Sequence, residues 1–198
     1  MPRFFATLVN FVLPPRKTER LVGALGIDDL RALQSGGSLP YQAQEASALV
    51  WEIKYYGSTR AAQLAGQFVS EELLAIASEE LGRPLLIPVP MHPARLRERG
   101  HNHTELLCES ALSHLDTAYE YAPHALERIV HTKHQQGLER KKRLNNVKNS
   151  MKAAEAVKGR VCVVLDDVTT TGATLAEAKR ALLAAGAARV HCVALAQS

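Results

Sequence analysis

The chain has few cysteines and no long apolar run, and both shortages exclude classes of protein. Its three cysteines, Cys108, Cys162 and Cys192, are scattered, and none of them forms a Cys-x-x-Cys pair. This spacing argues against a zinc ribbon and against a disulfide framework, so we expect a reducing, cytoplasmic location. The apolar stretch from Phe4 to Leu13 is interrupted by Asn10 and is too short to cross a bilayer.

The N-terminal stretch also lacks the small-residue cleavage site of an export signal, and Pro14 to Lys17 follows it directly. We expect residues 1–40 to form an N-terminal arm that contains a short amphipathic helix and no zinc ribbon. Residues 41–198 are long enough for one domain with a substantial core. The net charge of +4 suits an anionic substrate or a weak attraction to nucleic acid.

The most specific segment runs from Val161 to Thr174 and combines an apolar run, two aspartates, a threonine-rich loop and the start of a helix. Val161 to Leu165 is apolar throughout, which predicts a central parallel strand covered by helices on both faces. Asp166 and Asp167 are expected at the carboxyl end of that strand, where open α/β sheets bind ligands. The apolar positions of Ala173 to Ala185 predict the helix that follows.

The chemistry of this segment fits a phosphorylated sugar. Free amides at the helix start and the threonine hydroxyls would bind a phosphate dianion, and Gly172 would let the ligand approach the backbone. The two aspartates would repel that phosphate, so they suit ribose hydroxyls or a Mg²⁺ ion held by those hydroxyls. An ordinary helix cap from Thr171 or Thr174 is the alternative. The predicted phosphoribosyl contacts are Asp166, Asp167, Val168, Thr169, Thr170, Thr171, Gly172, Ala173 and Thr174.

A second group of candidates follows the strand predicted from Leu85 to Val89. Arg95, Arg97 and Arg99 alternate along this segment, and their side chains would point the same way if the segment were an extended loop. Guanidinium groups match the oxygens of a diphosphate through paired hydrogen bonds. An ordinary solvated loop face is the alternative.

The order of these motifs resembles the ComF family of phosphoribosyltransferase-like proteins over roughly residues 48–196. The matching features are Lys54-Tyr55-x-Gly57, Pro88-Val89-Pro90, Arg99-Gly100 with Asn102, the later Gln135, Arg143 and Asn146, and the Asp-Asp loop. The family's Phe-Asn-Gln is His101-Asn102-His103 here, and the zinc-binding cysteine pairs of many members are absent. We expect His101 and His103 on the surface rather than at a metal site, because no fourth ligand is evident.

The resemblance implies a type I phosphoribosyltransferase fold, an α/β domain with a mostly parallel sheet flanked by helices. It implies 5-phosphoribosyl 1-diphosphate as the ligand and Mg²⁺ as the cofactor, held mainly through the ligand. The implied catalytic residues are Asp166, Asp167 and Arg99, and the implied pyrophosphate contacts are Arg97, Arg99 and Gly100. Further contacts to the ligand, or from a closing lid, are implied for Lys54, Tyr55, Gln135, Arg143 and Asn146. For Lys54 the alternative is a charge that complements the helix dipole.

Two functions remain open from the sequence. One is transfer of the phosphoribosyl group to a nitrogen nucleophile with release of pyrophosphate, which would make the protein a glycosyltransferase. The other, implied by the resemblance, is a non-catalytic module that handles single-stranded DNA in natural competence, with competence proteins as partners. The basic run from Arg140 to Arg143 fits a loop that closes over the sugar, or contacts with DNA phosphates. The sequence predicts no membrane span, and an oligomer is possible. We also expect Asp167→Asn to weaken ligand binding without unfolding the domain.

Overall fold

Five parallel strands form the central sheet of the computed structural model, which describes residues 16–130 and 147–198. Their order is β1 (Leu39–Pro40), β7 (Arg189–Gln197), β6 (Val161–Thr169), β2 (Leu85–Pro88) and β3 (Glu120–Tyr121). A separate antiparallel pair consists of β4 (Leu126–Arg128) and β5 (Met151–Ala153). The mostly parallel sheet predicted from the sequence is confirmed.

Helices cover both faces of this sheet. Within the described ranges they are α1 (Lys17–Ala24), α2 (Ile27–Leu33), α3 (Gln44–Tyr56), α4 (Thr59–Glu79), α5 (Pro93–Arg99), α6 (His103–Leu112) and α7 (Ala173–Ala184). Side chains of β6 alternate between two apolar layers, because successive residues of a strand point to opposite faces. Val163 and Leu165 pack with α3, α4 and α6, whereas Cys162 and Val164 pack with α7 and the β4–β5 pair. The prediction of a central strand that is buried on both faces is confirmed.

Residues 16–40, which the sequence assigns to the N-terminal arm, pack against α3 and α4. Val22 and Leu30 are buried in the same apolar layer as the helices. The buried carboxylate of Glu52 accepts hydrogen bonds from Arg16 at 2.9 Å and from Thr18 at 2.6 Å. Burial would raise the pKa of Glu52, but these two partners outweigh it and lower the pKa. None of the helices in the described ranges is long and apolar enough to cross a membrane.

The segment after β2 differs from the extended loop that the sequence suggested. It forms helix α5, with Pro93 at the first helical turn and the His92 side chain accepting a hydrogen bond from the Ala94 amide. Proline at this position and a capping side chain before it both favour a helix. Gly100 ends α5 with a φ of 81°. The segment is therefore not extended, and the condition under which the three arginines would point the same way is not met.

Strand β6 is also longer than predicted. It continues to Thr169 because its partner β7 continues alongside it, with Thr169 opposite Gln197. On the other side β2 stops at Pro88, opposite Leu165. Asp166 and Asp167 thus lie inside β6 rather than after it, but they lie beyond the end of β2.

Candidate functional site

Asp166 and Asp167 lie side by side in the second half of β6, and both residues are buried. Each carboxylate holds the next backbone amide. Asp166 Oδ1 accepts a hydrogen bond from the Asp167 amide at 2.9 Å, and Asp167 Oδ1 accepts one from the Val168 amide at 2.8 Å. The pair lies where the neighbouring strand β2 has ended, which is the edge at which parallel sheets bind ligands.

The second oxygen of Asp167 is held by basic side chains from two other elements. Lys54, in the last turn of α3, donates to Asp167 Oδ2 at 2.9 Å. His103, at the start of α6, brings its Nε2 atom to 3.4 Å from the same oxygen. Arg99, at the end of α5, lies 3.5 Å from the other ring nitrogen of His103. The structure therefore brings together three predicted residues: Lys54 contacts Asp167 directly, and Arg99 is linked to Asp167 through His103.

The two carboxylates differ in their electrostatic surroundings. Among the described residues, Asp166 has no ion-pair partner, and burial together with the charge of Asp167 raises the pKa of Asp166 well above its ordinary value. Burial acts on Asp167 in the same direction, but His103 and Lys54 outweigh it and keep the pKa of Asp167 below its usual range. Burial lowers the pKa of Lys54, but the attraction of Asp167 is stronger and the net shift is upward. Lys54 and Asp167 are thus a charged pair.

The loop between β6 and α7 offers backbone amides to a ligand. In the described structure, the amides of Thr170, Thr171 and Gly172 have no protein acceptor, and the Ala173 amide reaches only Thr171 Oγ1, at 3.4 Å. Gly172 has a φ of 73°, and no atom lies within 4 Å of the position that a Cβ would occupy. The first amides of α7 add their partial positive charge to the same place. This loop can therefore bind an oxyanion such as a phosphate.

The arginines of α5 divide into two kinds. Arg95 and Arg99 are one helical turn apart and half-buried, whereas Arg97 is exposed and occupies a different side of the helix. Arg99 is the member that reaches the acid pair, through His103. Of the three, Arg95 and Arg99 are better placed than Arg97 to act together on one ligand group.

Helix α3 also carries an exposed aromatic cluster, which consists of Trp51, Tyr55 and Tyr56. These residues are 45%, 48% and 48% exposed, which is high for aromatic side chains of this size. The rings of Trp51 and Tyr55 have centroids 4.3 Å apart. The guanidinium carbon of Arg99 lies 4.9 Å from the Tyr55 centroid, and that of Arg16 lies 3.6 Å from the Tyr56 centroid. The predicted residue Tyr55 thus belongs to an aromatic surface that is linked to the acid pair through Arg99.

His101 and His103 also belong to the site, although no role there was predicted for them from the sequence. His101 lies 3.1 Å from the Ile53 carbonyl oxygen, to which it donates, and its ring packs beside Gly57. This contact fixes the end of α3, and with it the position of Lys54. The expectation of surface histidines is wrong for His103, which faces Asp167 and whose side chain is only 12% exposed. His101 lies in the loop before α6. The sequence shows the alternating pattern His101-Asn102-His103, but the residues that the two histidines contact, Ile53 and Asp167, are remote in sequence.

The other unexpected residue is Arg128, on β4. Its Nε atom donates to the Pro90 carbonyl at 3.1 Å, so the small antiparallel sheet is joined to the segment after β2. Burial lowers the pKa of Arg128, Asp166 opposes this effect, and Arg95 adds to it. A positive side chain from the second sheet therefore faces the same site. The remaining candidates, Gln135, Arg143 and Asn146, lie outside the described residues, as does the basic run 140–143, so their roles stay predictions.

The predicted cofactor can be tested against the oxygen and nitrogen atoms at this site. One ligand atom from each of His103, Asp166 and Asp167 lies within 4.8 Å of the others. Both oxygens of Asp167, however, already accept hydrogen bonds from protein groups. Of the two aspartates, only Asp166 has no ion-pair partner among the described residues. These residues fit a Mg²⁺ ion that is held mainly by a ligand rather than by the acid pair.

Comparison with known proteins matches residues 112–198 to the phosphoribosyl transferase domain. The DNA utilization protein YhgH of Salmonella typhimurium is 35% identical over 147 residues, which are 73% of this chain and 64% of that protein. Competence protein F of Haemophilus influenzae is 35% identical over 117 residues, which are 57% of this chain and 50% of that protein. The chain therefore matches less than two thirds of the length of either relative.

A solved hypoxanthine phosphoribosyl transferase from Trypanosoma cruzi is 12% identical, with a TM-score of 0.46 over 71% of this chain and 67% of that one. The domain match, together with the parallel sheet and its flanking helices, confirms the predicted type of fold. The two relatives confirm the predicted resemblance to the ComF-type proteins.

Proposed function

We propose that this chain, a phosphoribosyltransferase-like relative of competence protein F, binds 5-phosphoribosyl 1-diphosphate and transfers its phosphoribosyl group to a nitrogen nucleophile. One observation carries the proposal: a buried acid pair and an amide-lined loop lie within a few residues of each other on one β6–α7 connection. A site for a sugar phosphate needs an acceptor for the sugar hydroxyls and donors for the phosphate, and the two must be about one sugar length apart.

The ligand can be placed by the chemistry of each group. The 5-phosphate binds the amides from Thr170 to Gly172, where no carboxylate competes for them. The ribose hydroxyls donate to Asp166, which has no ion-pair partner among the described residues. The diphosphate lies towards α5, where Arg95 and Arg99 are half-buried one turn apart. When bound to the diphosphate, Mg²⁺ supplies positive charge to the leaving group.

The transfer step requires little covalent chemistry from the protein. The nucleophilic nitrogen forms a bond to the anomeric carbon while the bond from that carbon to the pyrophosphate oxygen breaks. The departing pyrophosphate takes the electron pair, and the nitrogen loses its proton to solvent. Fixing the 5-phosphate in the loop and the hydroxyls on Asp166 holds the anomeric carbon in line for this displacement. Positive side chains beside the leaving group stabilise the charge that develops on it.

The decisive experiment measures binding and turnover separately. Calorimetric titration with 5-phosphoribosyl 1-diphosphate and Mg²⁺ tests binding, and release of pyrophosphate in the presence of candidate bases tests transfer. Release that depends on the added base supports the proposed reaction. Binding without release for any nitrogen nucleophile would restrict the function to binding, and absence of binding would overturn the proposal.

Gly172→Ala tests the phosphate cradle. We expect roughly tenfold weaker binding of ribose 5-phosphate, because the new methyl group enters the space next to the loop amides and loss of one charged hydrogen bond is worth this much. The left-handed backbone of Gly172 adds a folding penalty of about 1–2 kcal/mol for any side chain. Gly159→Ala is the matched control, since Gly159 has the same φ of 73° and equally open surroundings but precedes β6. Equal affinity losses in the two variants would contradict the phosphate role of the loop.

Handling of single-stranded DNA is a second candidate function, and the exposed aromatic cluster on α3 favours it. Stacking of one base on an aromatic side chain is worth about 1–3 kcal/mol, and nearby arginines attract the phosphates. The names of the two relatives, a DNA utilization protein and a competence protein, point in the same direction.

Trp51→Ala tests this second function. We expect roughly tenfold weaker binding of single-stranded DNA, because one stacking contact is lost. Filter binding over a series of salt concentrations is the measurement. Leu74→Ala is the control, since Leu74 is 44% exposed on α4 and offers no aromatic ring. Unchanged binding by the Trp51 variant would exclude the aromatic cluster as the DNA site.

A further inference from the structure

The contact between Lys54 and Asp167 is unusual for a site that binds sugar hydroxyls. It joins α3 to β6 between residues 113 positions apart, with a separation of 2.9 Å between ammonium and carboxylate. The other oxygen of Asp167 is taken by the Val168 amide. Asp167 is therefore fully engaged by the protein itself, although the sequence motif presents it as a ligand-binding residue.

The position of Lys54 is built into the fold. The left-handed Gly57, with a φ of 57°, ends α3 one turn after Lys54, and His101 binds the Ile53 carbonyl from the other side. The Lys54 side chain is only 26% exposed, so its ammonium is largely withdrawn from water. It also lies at the carbonyl end of a helix, where positive charge is favoured. Lys54 is thus a placed cation and not a freely moving surface lysine.

The charges at the acid pair follow from these contacts. Lys54 forms an ion pair with Asp167, whereas Asp166 forms none among the described residues. A divalent ion bound directly between His103, Asp166 and Asp167 would have to displace the ammonium of Lys54 or lie against it. The ion and the ammonium are both positive, and such charges repel strongly when they lie next to each other in a buried site. The ammonium of Lys54 therefore occupies the oxygen of Asp167 that a directly bound metal ion would need.

We propose that Lys54 is the resident cation of the sugar-phosphate site, so that the ribose 5-phosphate part of the ligand is recognised without a divalent metal. This inference rests on the proposed function and deepens it. Lys54 acts as a positioning residue: it holds Asp167 in place and reserves Asp166 for the ribose hydroxyls. The effect of Mg²⁺ is then confined to the diphosphate of the ligand.

Calorimetry with two ligands in two buffers tests this assignment. Ribose 5-phosphate and 5-phosphoribosyl 1-diphosphate are each titrated into the full chain with Mg²⁺ and with a chelator. For the natural sequence we expect ribose 5-phosphate to bind with the same affinity in both buffers, whereas Mg²⁺ strengthens binding of the diphosphate. Lys54→Met should weaken ribose 5-phosphate binding roughly tenfold in chelator, because Asp167 then loses its lysine partner next to the buried Asp166. Adding Mg²⁺ should restore much of that loss.

Two variants accompany this series. Lys54→Arg keeps the positive charge and should retain binding without metal. Lys179→Met removes an exposed lysine from α7 and should change neither affinity nor the response to metal. A loss of packing alone would weaken binding in both buffers equally, so the response to Mg²⁺ separates a charge effect from a structural one. Thermal unfolding shows whether each variant is folded at the temperature of the titration.

The possible outcomes distinguish the inference from the function on which it rests. If the natural sequence binds neither ligand, the proposed function fails. If it binds both, but ribose 5-phosphate only with Mg²⁺, the role of Lys54 as resident cation is overturned. The same conclusion follows if Lys54→Met binds like the natural sequence and shows no response to metal. If Lys54→Met does not fold, the metal-independence of the natural sequence and of Lys54→Arg decides.

Discussion

Replacing Asp166 by asparagine should weaken binding of 5-phosphoribosyl 1-diphosphate about 10- to 100-fold, because an amide NH₂ group then faces the ribose hydroxyls, and a buried polar group left unpaired costs about 1–3 kcal/mol. The same change should raise the stability of the fold. Asp166 is buried beside the ionised Asp167 and has no ion-pair partner among the described residues, so ionising it opposes folding. Asparagine keeps the shape and an acceptor for the Asp167 amide but carries no charge. The aspartate that the ligand needs at this position is therefore expected to make the fold less stable than asparagine would, a trade-off that is common at functional sites.

The expected difference in stability between Asp166→Asn and the natural protein depends on pH. The pKa of Asp166 is raised in the folded state, so the unfolded chain loses its proton first as the pH rises. The natural protein should then lose stability from about pH 4, the ordinary value of an aspartate, up to the folded pKa. Asp166→Asn should be the more stable protein at neutral pH, and its advantage should vanish below about pH 4. Urea unfolding of both proteins across this range is the measurement.

Asp167→Asn is the matched comparison, and the structure changes what is expected of it. The sequence suggested that this variant would fold normally. Asp167 is, however, the partner of Lys54 and His103, and removing it leaves a largely buried ammonium unpaired. We expect a loss of about 2–4 kcal/mol, which is the effect of breaking a buried ion pair reduced for the partial exposure of Lys54. Because the pKa of Asp167 is lowered, its contribution is present at neutral pH and declines in acid. Equal stability changes in the two variants would contradict the assigned roles.

The different roles of the two aspartates could not be predicted from the sequence. The strand, the loop and helix α7 were predicted because each follows from local patterns: a continuous apolar run, a threonine-rich turn with Gly172, and a helical stripe. Nothing local distinguishes Asp166 from Asp167, since the distinction depends on Lys54 and His103. Those partners meet Asp167 only after the chain has folded. The motif order selected several residues that lie close together in the structure, without revealing which of them contact each other.

The errors in secondary structure have equally specific causes. The alternation of the arginines after β2 suggested an extended segment. His92-Pro93 is, however, a typical start of a helix, and Gly100 is a typical end. The length of β6 was underestimated because polar residues from Asp166 onwards do not resemble a buried strand. Pairing with β7 as far as Gln197 overrides that local preference. Arg128 was missed since a basic residue in a three-residue strand carries no pattern of its own.

Gly66→Ala should destabilise the fold by about 2 kcal/mol, which is the usual effect of overpacking less the higher helix propensity of alanine. Gly66 lies in the middle of α4, where it faces α6. A Cβ atom built there would lie 2.6 Å from the backbone carbon of Ser110 and 2.7 Å from the Ala111 amide nitrogen. These are backbone atoms of a helix and cannot move aside as the end of a flexible side chain would. The two helices must separate, and α6 carries His103 at its first position.

Gly23→Ala is the matched control, because Gly23 is also helical but has no atom within 4 Å of its Cβ position. We expect this variant to gain about 0.4–1 kcal/mol from helix propensity and from a less flexible unfolded chain. Thermal unfolding should therefore show Gly66→Ala several degrees below the natural protein and Gly23→Ala slightly above it. Similar shifts in the two variants would mean that α4 and α6 are not in close contact at this point. Because separating α6 from α4 also moves His103 relative to Asp167, weaker ligand binding should accompany the loss of stability in Gly66→Ala but not in Gly23→Ala.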